Sequence, residues 1–173
     1  MNVFVTVGGC GKRMKAISPT DKHLLYYKEK RIIEHIINIF PQAKIIGNIK
    51  TSSRMETLQE IINEVDCLIV DCDIIPLFDW TLQLNDSTIF VFESDKDKYC
   101  SLITKDDVVT SVSEKDCISK IKCSGVYYVK SIKKLLGDMI NCDSLASGMV
   151  GSNTIKEDTF IRLGDIEDYF EAI

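Results

Sequence analysis

The sequence predicts an α/β fold whose first half is a parallel sheet and whose second half has mixed strand directions. Three β-branched and apolar runs, at residues 3–7, 43–47 and 67–70, are typical of buried strands, and helix patterns separate them. Alternating strands and helices indicate a parallel sheet with right-handed crossovers. The apolar runs after residue 86 are short and broken by polar turns, which indicates that they extend the sheet with antiparallel or mixed pairing.

The first half of the chain has clear helix signals. Apolar residues at positions 32, 33, 36, 37 and 40 recur with the helical period, and the pattern stops at Pro41. Ser53 and Glu56 have the spacing of a capping box, and apolar residues at 55, 58, 61 and 62 give the following helix a buried face. We expect residues 24–27 to form a short extended segment.

The second half is predicted to contain shorter elements. The expected strands are residues 87–93, 101–104, 108–112, 125–129 and 159–163. Helices are expected at 131–140 and 166–173, whereas the pattern of 141–153 is ambiguous. Tyr127 and Tyr128 are interpreted as packing residues of the sheet and not as ligand contacts.

Composition predicts one globular domain over residues 1–173, which is long enough to bury a core. Its net charge of −5 argues against nucleic acid as a partner. The apolar runs are shorter than a membrane span, and the first residues lack the basic segment of a signal peptide. Seven cysteines without a C-x-x-C pair favour reduced thiols. We therefore expect a cytoplasmic protein that does not bind membranes.

A glycine run follows the first strand and is the strongest candidate for a phosphate site. Gly8, Gly9 and Gly11 let the backbone turn sharply and present its N–H groups to an anion. The cations that follow are Lys12, Arg13, Lys15 and Lys22. A cationic loop on an acidic chain concentrates an anion such as a nucleoside triphosphate. The alternative is a glycine turn surrounded by solvated lysines.

Asp71 and Asp73 end the third buried strand at the edge of the sheet where the glycine run is expected. Two carboxylates in this position can bind Mg²⁺ together with phosphate oxygens and water. Asp73 is the preferred ligand because it lies beyond the strand. The alternative is that one carboxylate caps a turn while the other is solvated.

Two common phosphate motifs are excluded. A Walker loop requires four residues between its first glycine and the Gly-Lys pair, but here Gly11 and Lys12 follow the glycines too closely and Arg13 occupies the hydroxyl position. A dinucleotide fingerprint requires a third glycine where Met14 stands, and an acidic residue that is missing after the second strand.

Glu114 and Lys115 follow a predicted strand in the second half of the chain. They could hold a second substrate, although the spacing is equally consistent with a surface ion pair. Both interpretations stay open on sequence alone.

The run from Gly8 to Met14, followed by Lys22, resembles the signature of nucleotidyltransferases that join a nucleoside triphosphate to a phosphorylated sugar or alcohol. The likeness is greatest to short bacterial phosphocholine cytidylyltransferases and sugar-1-phosphate nucleotidyltransferases. It implies a three-layer, Rossmann-like mixed sheet of the nucleotide-diphospho-sugar transferase type. It also implies a nucleoside triphosphate-binding half (residues 1–85) and an acceptor-binding half (residues 86–173).

The resemblance implies roles for specific residues in the first half. The backbone around the triphosphate would come from Val7, Gly8, Gly9, Cys10, Gly11 and Lys12. Arg13 and Lys22 would contact the phosphates, and Asp73 would hold Mg²⁺ with support from Asp71. Ser52 and Ser53 lie where family members contact the nucleotide. One departure is Asp21, which precedes Lys22 where the family has proline.

In the second half, the resemblance implies that Glu114, Lys115 and Gly125 contact the acceptor, with Lys115 at its phosphate. The closing segment of the family supplies a second metal-binding aspartate. Here the corresponding residues are Arg162 or Gly164, and Asp165 is the nearest carboxylate. Asp165 is therefore the candidate for the second Mg²⁺ ligand.

The implied reaction is the Mg²⁺-dependent transfer of a nucleoside monophosphate to a small phosphorylated acceptor with release of pyrophosphate. CTP is slightly favoured as the nucleotide, and cell-surface polysaccharide biosynthesis is the expected setting. Homo-oligomerisation stays open. The alternatives are a catalytically weak nucleotide-binding or regulatory domain on the same fold, which the departures at Arg162 and Gly164 favour, and an α/β interaction module without nucleotide binding.

Overall fold

A computed structural model describes residues 1–7, 20–48, 53–78, 83–114, 116–140 and 144–172. In chain order the strands are β1 (Asn2–Thr6), β2 (Tyr26–Tyr27), β3 (Lys30–Arg31), β4 (Lys44–Ile46), β5 (Val65–Asp71), β6 (Ile74–Pro76), β7 (Thr88–Glu93), β8 (Ser101–Lys105), β9 (Val108–Ser113), β10 (Ile121–Ser131), β11 (Asn153–Lys156) and β12 (Phe160–Arg162). The helices are α1 (Ile32–Ile39), α2 (Arg54–Gln59), α3 (Ile132–Asp138) and α4 (Ile166–Ala172).

Eight strands form one mixed sheet in the order β4-β1-β5-β10-β7-β11-β9-β8. β1 runs parallel to both β4 and β5, so the parallel first half is confirmed. β10 then reverses direction and pairs antiparallel with β5 and with β7. The mixed second half is therefore confirmed as well, and strands from both halves share one sheet.

Apolar side chains pack on both faces of this sheet because successive strand residues point to opposite sides. Val3 and Val5 belong to one buried cluster, together with residues of α1. Phe4 and Ile69 belong to a second cluster, which includes residues of α3. The β-branched runs thus form strands that are covered on both faces, as expected for the centre of an α/β sheet.

A separate two-stranded ladder joins β6 to β12. The register pairs Arg162 with Ile74, and the backbone N–H of Leu163 donates to the carbonyl of Asp73 at 2.8 Å. This ladder brings the end of the chain beside the residues that follow β5.

The backbone of β10 is irregular at its centre. Its pairing with β7 shifts register between Cys123 and Tyr127, and Gly125 lies between them with a φ of +91°. Glycine adopts this left-handed conformation without the steric cost of a Cβ atom. The irregularity is a bulge that turns local carbonyl groups away from the ladder.

Some elements differ from the sequence-based expectation. α2 ends at Gln59, because the backbone N–H groups of Glu60 and Ile61 bond three residues back, to Thr57 and Leu58, and tighten the chain into turns. Residues 22–24 form a 3-10 turn before β2, and the ambiguous 141–153 region contributes a 3-10 turn at Ala146–Met149 and the start of β11. In the described part of the chain, none of the helices combines the length and apolar character that crossing a membrane requires.

Candidate functional site

A polar cavity of about 230 Å³ opens where β5, β6, β10 and β12 meet. Charged side chains line it from distant parts of the sequence. The cations are Lys22, Arg54, Lys98 and Arg162, and the carboxylates are Asp71, Asp73, Glu114, Asp165 and Asp168. Polar groups that converge in a concave site are the usual mark of a ligand-binding pocket.

Asp71, the last residue of β5, is held by Arg54 in a two-point ion pair. One terminal nitrogen of Arg54 binds Oδ1 of Asp71, and the other lies 3.0 Å from Oδ2. The hydroxyl of Thr6 also donates to Oδ1 at 3.1 Å. Burial opposes the charge on Arg54, but Asp71 outweighs it and raises the pKa of the guanidinium well above its ordinary value. Asp71 is therefore held firmly by its contacts with Arg54 and Thr6.

Asp73 lies two residues further on and pairs with Lys22. The ammonium nitrogen of Lys22 donates to Oδ2 of Asp73 at 2.9 Å, and both side chains are more than four-fifths buried. Burial favours the neutral acid, but Lys22 and Arg162 outweigh it and hold the pKa of Asp73 well below its usual range. The structure thus brings together three residues that the sequence selected, Lys22, Asp71 and Asp73.

The carboxylates of Asp71 and Asp73 have the donor chemistry that Mg²⁺ prefers. Within the described residues, groups of three or more His, Cys, Asp or Glu close enough to hold a metal are absent. Mg²⁺ sites at nucleotides commonly use one or two carboxylates and take their other ligands from phosphates and water, so these residues fit the ion. Asp73 has the freer carboxylate, because Arg54 engages both oxygens of Asp71.

Asp165, the candidate for the second metal ligand, lines the same cavity but has protein partners. Its Oδ1 accepts from Lys98 at 3.1 Å and from the backbone N–H of Asp168 at 3.0 Å. Its role as a Mg²⁺ ligand stays a prediction.

Lys98 is the centre of an acidic cluster between the sheet and α4. Its ammonium group lies 2.7 Å from both Glu167 and Asp168, in addition to Asp165. The hydroxyl of Tyr99 also donates to Oδ1 of Asp168, at 2.7 Å. Burial and this hydrogen bond raise the pKa of Tyr99 above its ordinary value, so the phenol stays protonated.

Arg162 and Gly164, which stand where the resemblance implies a second metal-binding aspartate, lie beside Asp73. A Cβ atom added to Gly164 would lie 2.9 Å from Oδ2 of Asp73, so the carboxylate occupies the space that the missing side chain leaves. Arg162 lines the cavity and donates to the carbonyls of Cys123 and Ser124 at 3.3 and 3.2 Å. A guanidinium group therefore occupies this part of the site.

Two of the predicted acceptor residues, Glu114 and Gly125, line the cavity. Glu114 accepts a hydrogen bond from Ser144, and Gly125 forms the bulge of β10. Tyr127 and Tyr128 are buried in the sheet, which confirms packing as their role, although Tyr127 also lines the cavity. Contact of Glu114 or Gly125 with an acceptor stays a prediction.

Two cysteines line the cavity as well. Burial raises the pKa of Cys123 to about 11, and burial raises that of Cys100 still further. Because the thiolate is the nucleophilic form, these thiols are not poised for covalent catalysis at neutral pH.

Several predicted site residues lie outside the described residues: Gly8, Gly9, Cys10, Gly11, Lys12, Arg13, Ser52 and Lys115. Two of their predicted companions are described. The backbone N–H of Val7 donates to the carbonyl of Ile46 at 2.9 Å. Ser53 begins α2, where its hydroxyl accepts from the N–H of Glu56 at 3.2 Å, so the capping interaction is confirmed.

Three of the cations in the cavity, Arg54, Lys98 and Arg162, are not predicted as site residues from the sequence. Arg54 follows the cap residue Ser53, and only the fold reveals that this helix start faces Asp71. Arg162 was noted as a departure from the family pattern and not as a site residue. An isolated cation has no periodic signal that distinguishes it from a solvated one.

The sequence matches no protein-family model and has no significant match among curated proteins. Solved structures are nevertheless similar over nearly the whole chain. A nucleoside-diphosphate-sugar pyrophosphorylase from Vibrio cholerae RC9 is 15% identical, with 99% of this chain and 98% of that chain covered and a TM-score of 0.69. The CTP:phosphocholine cytidylyltransferase LicC of Streptococcus pneumoniae is 15% identical, with 98% and 96% covered and a TM-score of 0.72.

The inositol-1-phosphate CTP transferase from T. maritima is 9% identical, with 96% of this chain and 90% of that chain covered and a TM-score of 0.71. These similarities establish that the chain has the mixed α/β fold of nucleotidyltransferases. The resemblance is thus confirmed at the level of the fold.

Proposed function

We propose that this protein is a nucleotidyltransferase that transfers a nucleoside monophosphate from a nucleoside triphosphate to a small phosphorylated acceptor and releases pyrophosphate. The observation that carries the proposal is the Lys22–Asp73 pair at the end of β5. It places a cation suited to binding phosphate beside a carboxylate with the donor chemistry that Mg²⁺ prefers, in a polar cavity. The three-layer, Rossmann-like description of the fold is part of the same proposal.

The chemistry requires position and charge more than covalent catalysis. A phosphate oxygen of the acceptor attacks the α-phosphorus of the nucleotide in line with the departing pyrophosphate. Because the attacking phosphate is ionised near neutral pH, a general base is not needed. Lys22, together with Arg13, would stabilise the negative charge that develops on pyrophosphate.

Asp73, supported by Asp71, would hold Mg²⁺, which neutralises phosphate charge when it is bound. Arg54 fixes the orientation of Asp71 through two contacts. Asp71 would in turn keep the end of β5 rigid beneath Asp73. Lys22 would exchange its contact with Asp73 for a phosphate oxygen when the nucleotide binds.

The names of the similar structures give candidate substrates. They mention phosphocholine, inositol 1-phosphate and nucleoside-diphosphate sugars, with CTP as the nucleotide in two of the three. We therefore propose CTP as the first nucleotide to test, and a sugar phosphate or phosphorylated alcohol as the acceptor. A role in cell-surface polysaccharide biosynthesis and a cytoplasmic location are part of this proposal.

A pyrophosphate-release screen tests the function directly. ATP, CTP, GTP and UTP are each combined with a panel that includes phosphocholine, glucose 1-phosphate and inositol 1-phosphate, with and without Mg²⁺. We expect pyrophosphate release that requires one nucleotide, one acceptor class and Mg²⁺.

Calorimetry in parallel separates the alternatives. Nucleotide binding without turnover across the panel would favour a regulatory nucleotide-binding domain. The presence of Arg162 and Gly164 at the family's second aspartate position is the observation that favours this alternative. Absence of nucleotide binding would contradict both.

A further inference from the structure

The four described cations that line the cavity differ in how much of their hydrogen-bonding capacity is used. Arg54 is engaged by both oxygens of Asp71, and Lys98 is surrounded by three carboxylates. Lys22 pairs with Asp73. Each of these cations already has an anionic partner within 3.1 Å. Arg162 is different.

Among the described residues, Arg162 donates hydrogen bonds through only one of its nitrogens. Nη1 donates to the two carbonyls of the β10 bulge, whereas Nε and Nη2 donate to none of the described residues. The carboxylate nearest to its Nε is Oδ2 of Asp168, 3.9 Å away, which exceeds hydrogen-bonding distance. A guanidinium has five N–H donors. Arg162 therefore has an anion-binding edge with capacity to spare.

The guanidinium is also held in a fixed orientation. It stacks over the ring of Tyr99 at 4.5 Å and lies 5.8 Å from the ring of Phe92. The bulge at Gly125 supplies the two carbonyls that fix its other side. A planar donor fork that is oriented before a ligand arrives loses little freedom on binding a phosphate.

Asp168 gives a second, independent indication that the site around Arg162 has unsatisfied hydrogen-bonding groups. Its Oδ1 is bound by Lys98 and Tyr99, but its Oδ2 is fully buried and has no hydrogen-bond partner among the described residues. Leaving a buried carboxylate oxygen unpaired is costly. The Nε of Arg162 lies 3.9 Å from this oxygen, so both groups keep unused hydrogen-bonding capacity among the described residues.

The position of Arg162 indicates which phosphate it would meet. It lies beside Asp73 through the β6–β12 ladder and contacts β10, whereas β1 lies on the other side of β5. Neighbouring strands are about 4.8 Å apart, so β1 and β10 are separated by about 10 Å. The β10 carbonyls that Arg162 contacts are therefore on the side of β5 away from β1, the strand after which the glycine run comes in the sequence.

We propose that Arg162 binds the phosphate of the acceptor, a phosphomonoester dianion, and aims one of its oxygens at the α-phosphorus. This inference rests on the proposed function. The attacking oxygen forms a bond to the α-phosphorus, and the bond from that phosphorus to the bridging oxygen breaks, so that pyrophosphate leaves with the electron pair. The attacking phosphate is already ionised, so no proton has to be removed.

The first test measures binding and does not depend on turnover. Inorganic phosphate and glucose 1-phosphate are titrated by calorimetry into the wild-type protein and into Arg162→Met and Arg162→Lys, with Lys105→Met as an exposed-lysine control. We expect Arg162→Met to weaken binding of both probes by about 10- to 100-fold, since a charged hydrogen-bonding partner is lost. Arg162→Lys should keep part of the affinity because it retains the charge but loses the fork.

The second test uses the acceptor found in the pyrophosphate screen. Arg162→Met should raise KM for the acceptor by about 10-fold or more while KM for the nucleotide changes by less than about twofold. Equal phosphate binding by folded wild-type and Arg162→Met protein, or a rise confined to the nucleotide KM, would overturn the proposal. Phosphate binding that needs Arg162 in a protein without turnover would contradict the proposed function and leave Arg162 as an anion-binding residue.

Discussion

The ammonium nitrogen of Lys22 lies 2.9 Å from Oδ2 of Asp73, a residue 51 positions further along the chain. The contact neutralises two largely buried charges. It also sets the distance between a cation expected to bind phosphate and a carboxylate expected to bind Mg²⁺. Changes to either residue should therefore lower catalysis, and removing one charge also leaves the other largely buried without its partner.

Asp73→Asn removes the charge of the carboxylate and keeps its shape. We expect Mg²⁺-dependent pyrophosphate release to fall by at least about 100-fold, because electrostatic stabilisation of phosphoryl transfer is lost. The matched control is Asp95→Asn, which removes an exposed carboxylate paired with Lys120. Circular dichroism checks that both variants are folded. Substantial activity in folded Asp73→Asn would contradict the proposal that Asp73 holds Mg²⁺.

Arg54→Met should destabilise the fold, because it leaves the Asp71 carboxylate without its counter-charge. Since the Arg54 side chain is about one-third exposed, we expect a loss of about 1–3 kcal/mol in the free energy of unfolding measured in urea. The double variant with Asp71→Asn should recover part of this loss. Strictly additive effects of the two changes would show that the pair contributes no coupling energy.

Gly164→Ala tests the close approach between Gly164 and Asp73. The added Cβ would lie 2.9 Å from Oδ2 of Asp73, so the carboxylate has to move. Displacing a catalytic group by about 1 Å can reduce turnover about 100-fold, and we expect a loss of this order in kcat.

The control for Gly164 is Gly137→Ala in α3, where an added Cβ would meet no atom within 4 Å. This control should keep full activity and gain about 0.5–1 kcal/mol in stability, because alanine is the better helix former. Unchanged kcat in Gly164→Ala would show that Asp73 tolerates the displacement.

Ser53→Ala separates helix capping from nucleotide binding. Ser53 caps α2 and Ser131 caps α3 in the same way, with bonds of 3.2 and 3.3 Å from Glu56 and Lys134. Each alanine variant should cost about 1 kcal/mol in unfolding free energy. If Ser53 also contacts the nucleotide, only Ser53→Ala should raise the nucleotide KM. Equal nucleotide KM values in the two variants would restrict Ser53 to capping.

His23 should make the stability depend on pH. Burial lowers the pKa of His23 from 6.5, with partial opposition from Asp21. The folded state therefore favours the neutral ring, and its contribution to stability is present above pH 6.5 and is lost as the pH falls through the lower folded pKa. Urea unfolding between pH 8 and pH 5 should show a decline that His23→Gln reduces; an identical decline would exclude His23 as its source.

The central strands could be predicted because their signal is local. β1, β4 and β5 are β-branched runs in the sequence, and the spacing of Ser53 to Glu56 predicts the start of α2. β6 could not be predicted, since it has three residues and exists through its pairing with β12. The antiparallel pairing of the second half was predicted, but the position of β10 between β5 and β7 is set by its neighbours in the sheet.

The site residues likewise divide into those that the sequence predicts and those that only the fold reveals. Lys22, Asp71 and Asp73 follow recognisable patterns, and the fold brings them together. Arg54 and Arg162 were missed because a cation becomes a site residue only through its tertiary partners. The glycine run and the metal stay predictions, whereas the resemblance in fold is confirmed.

Strand β10 lies between β5 and β7. The edge of β5, which belongs to the earlier half of the chain, is therefore paired with a strand from the later half. A peptide ending at residue 85 would leave the long edge of β5 open and prone to pair with other molecules. Supplied separately, residues 86–173 could close that edge. The two pieces should therefore be insoluble apart and recover activity when co-expressed, as in split-protein complementation.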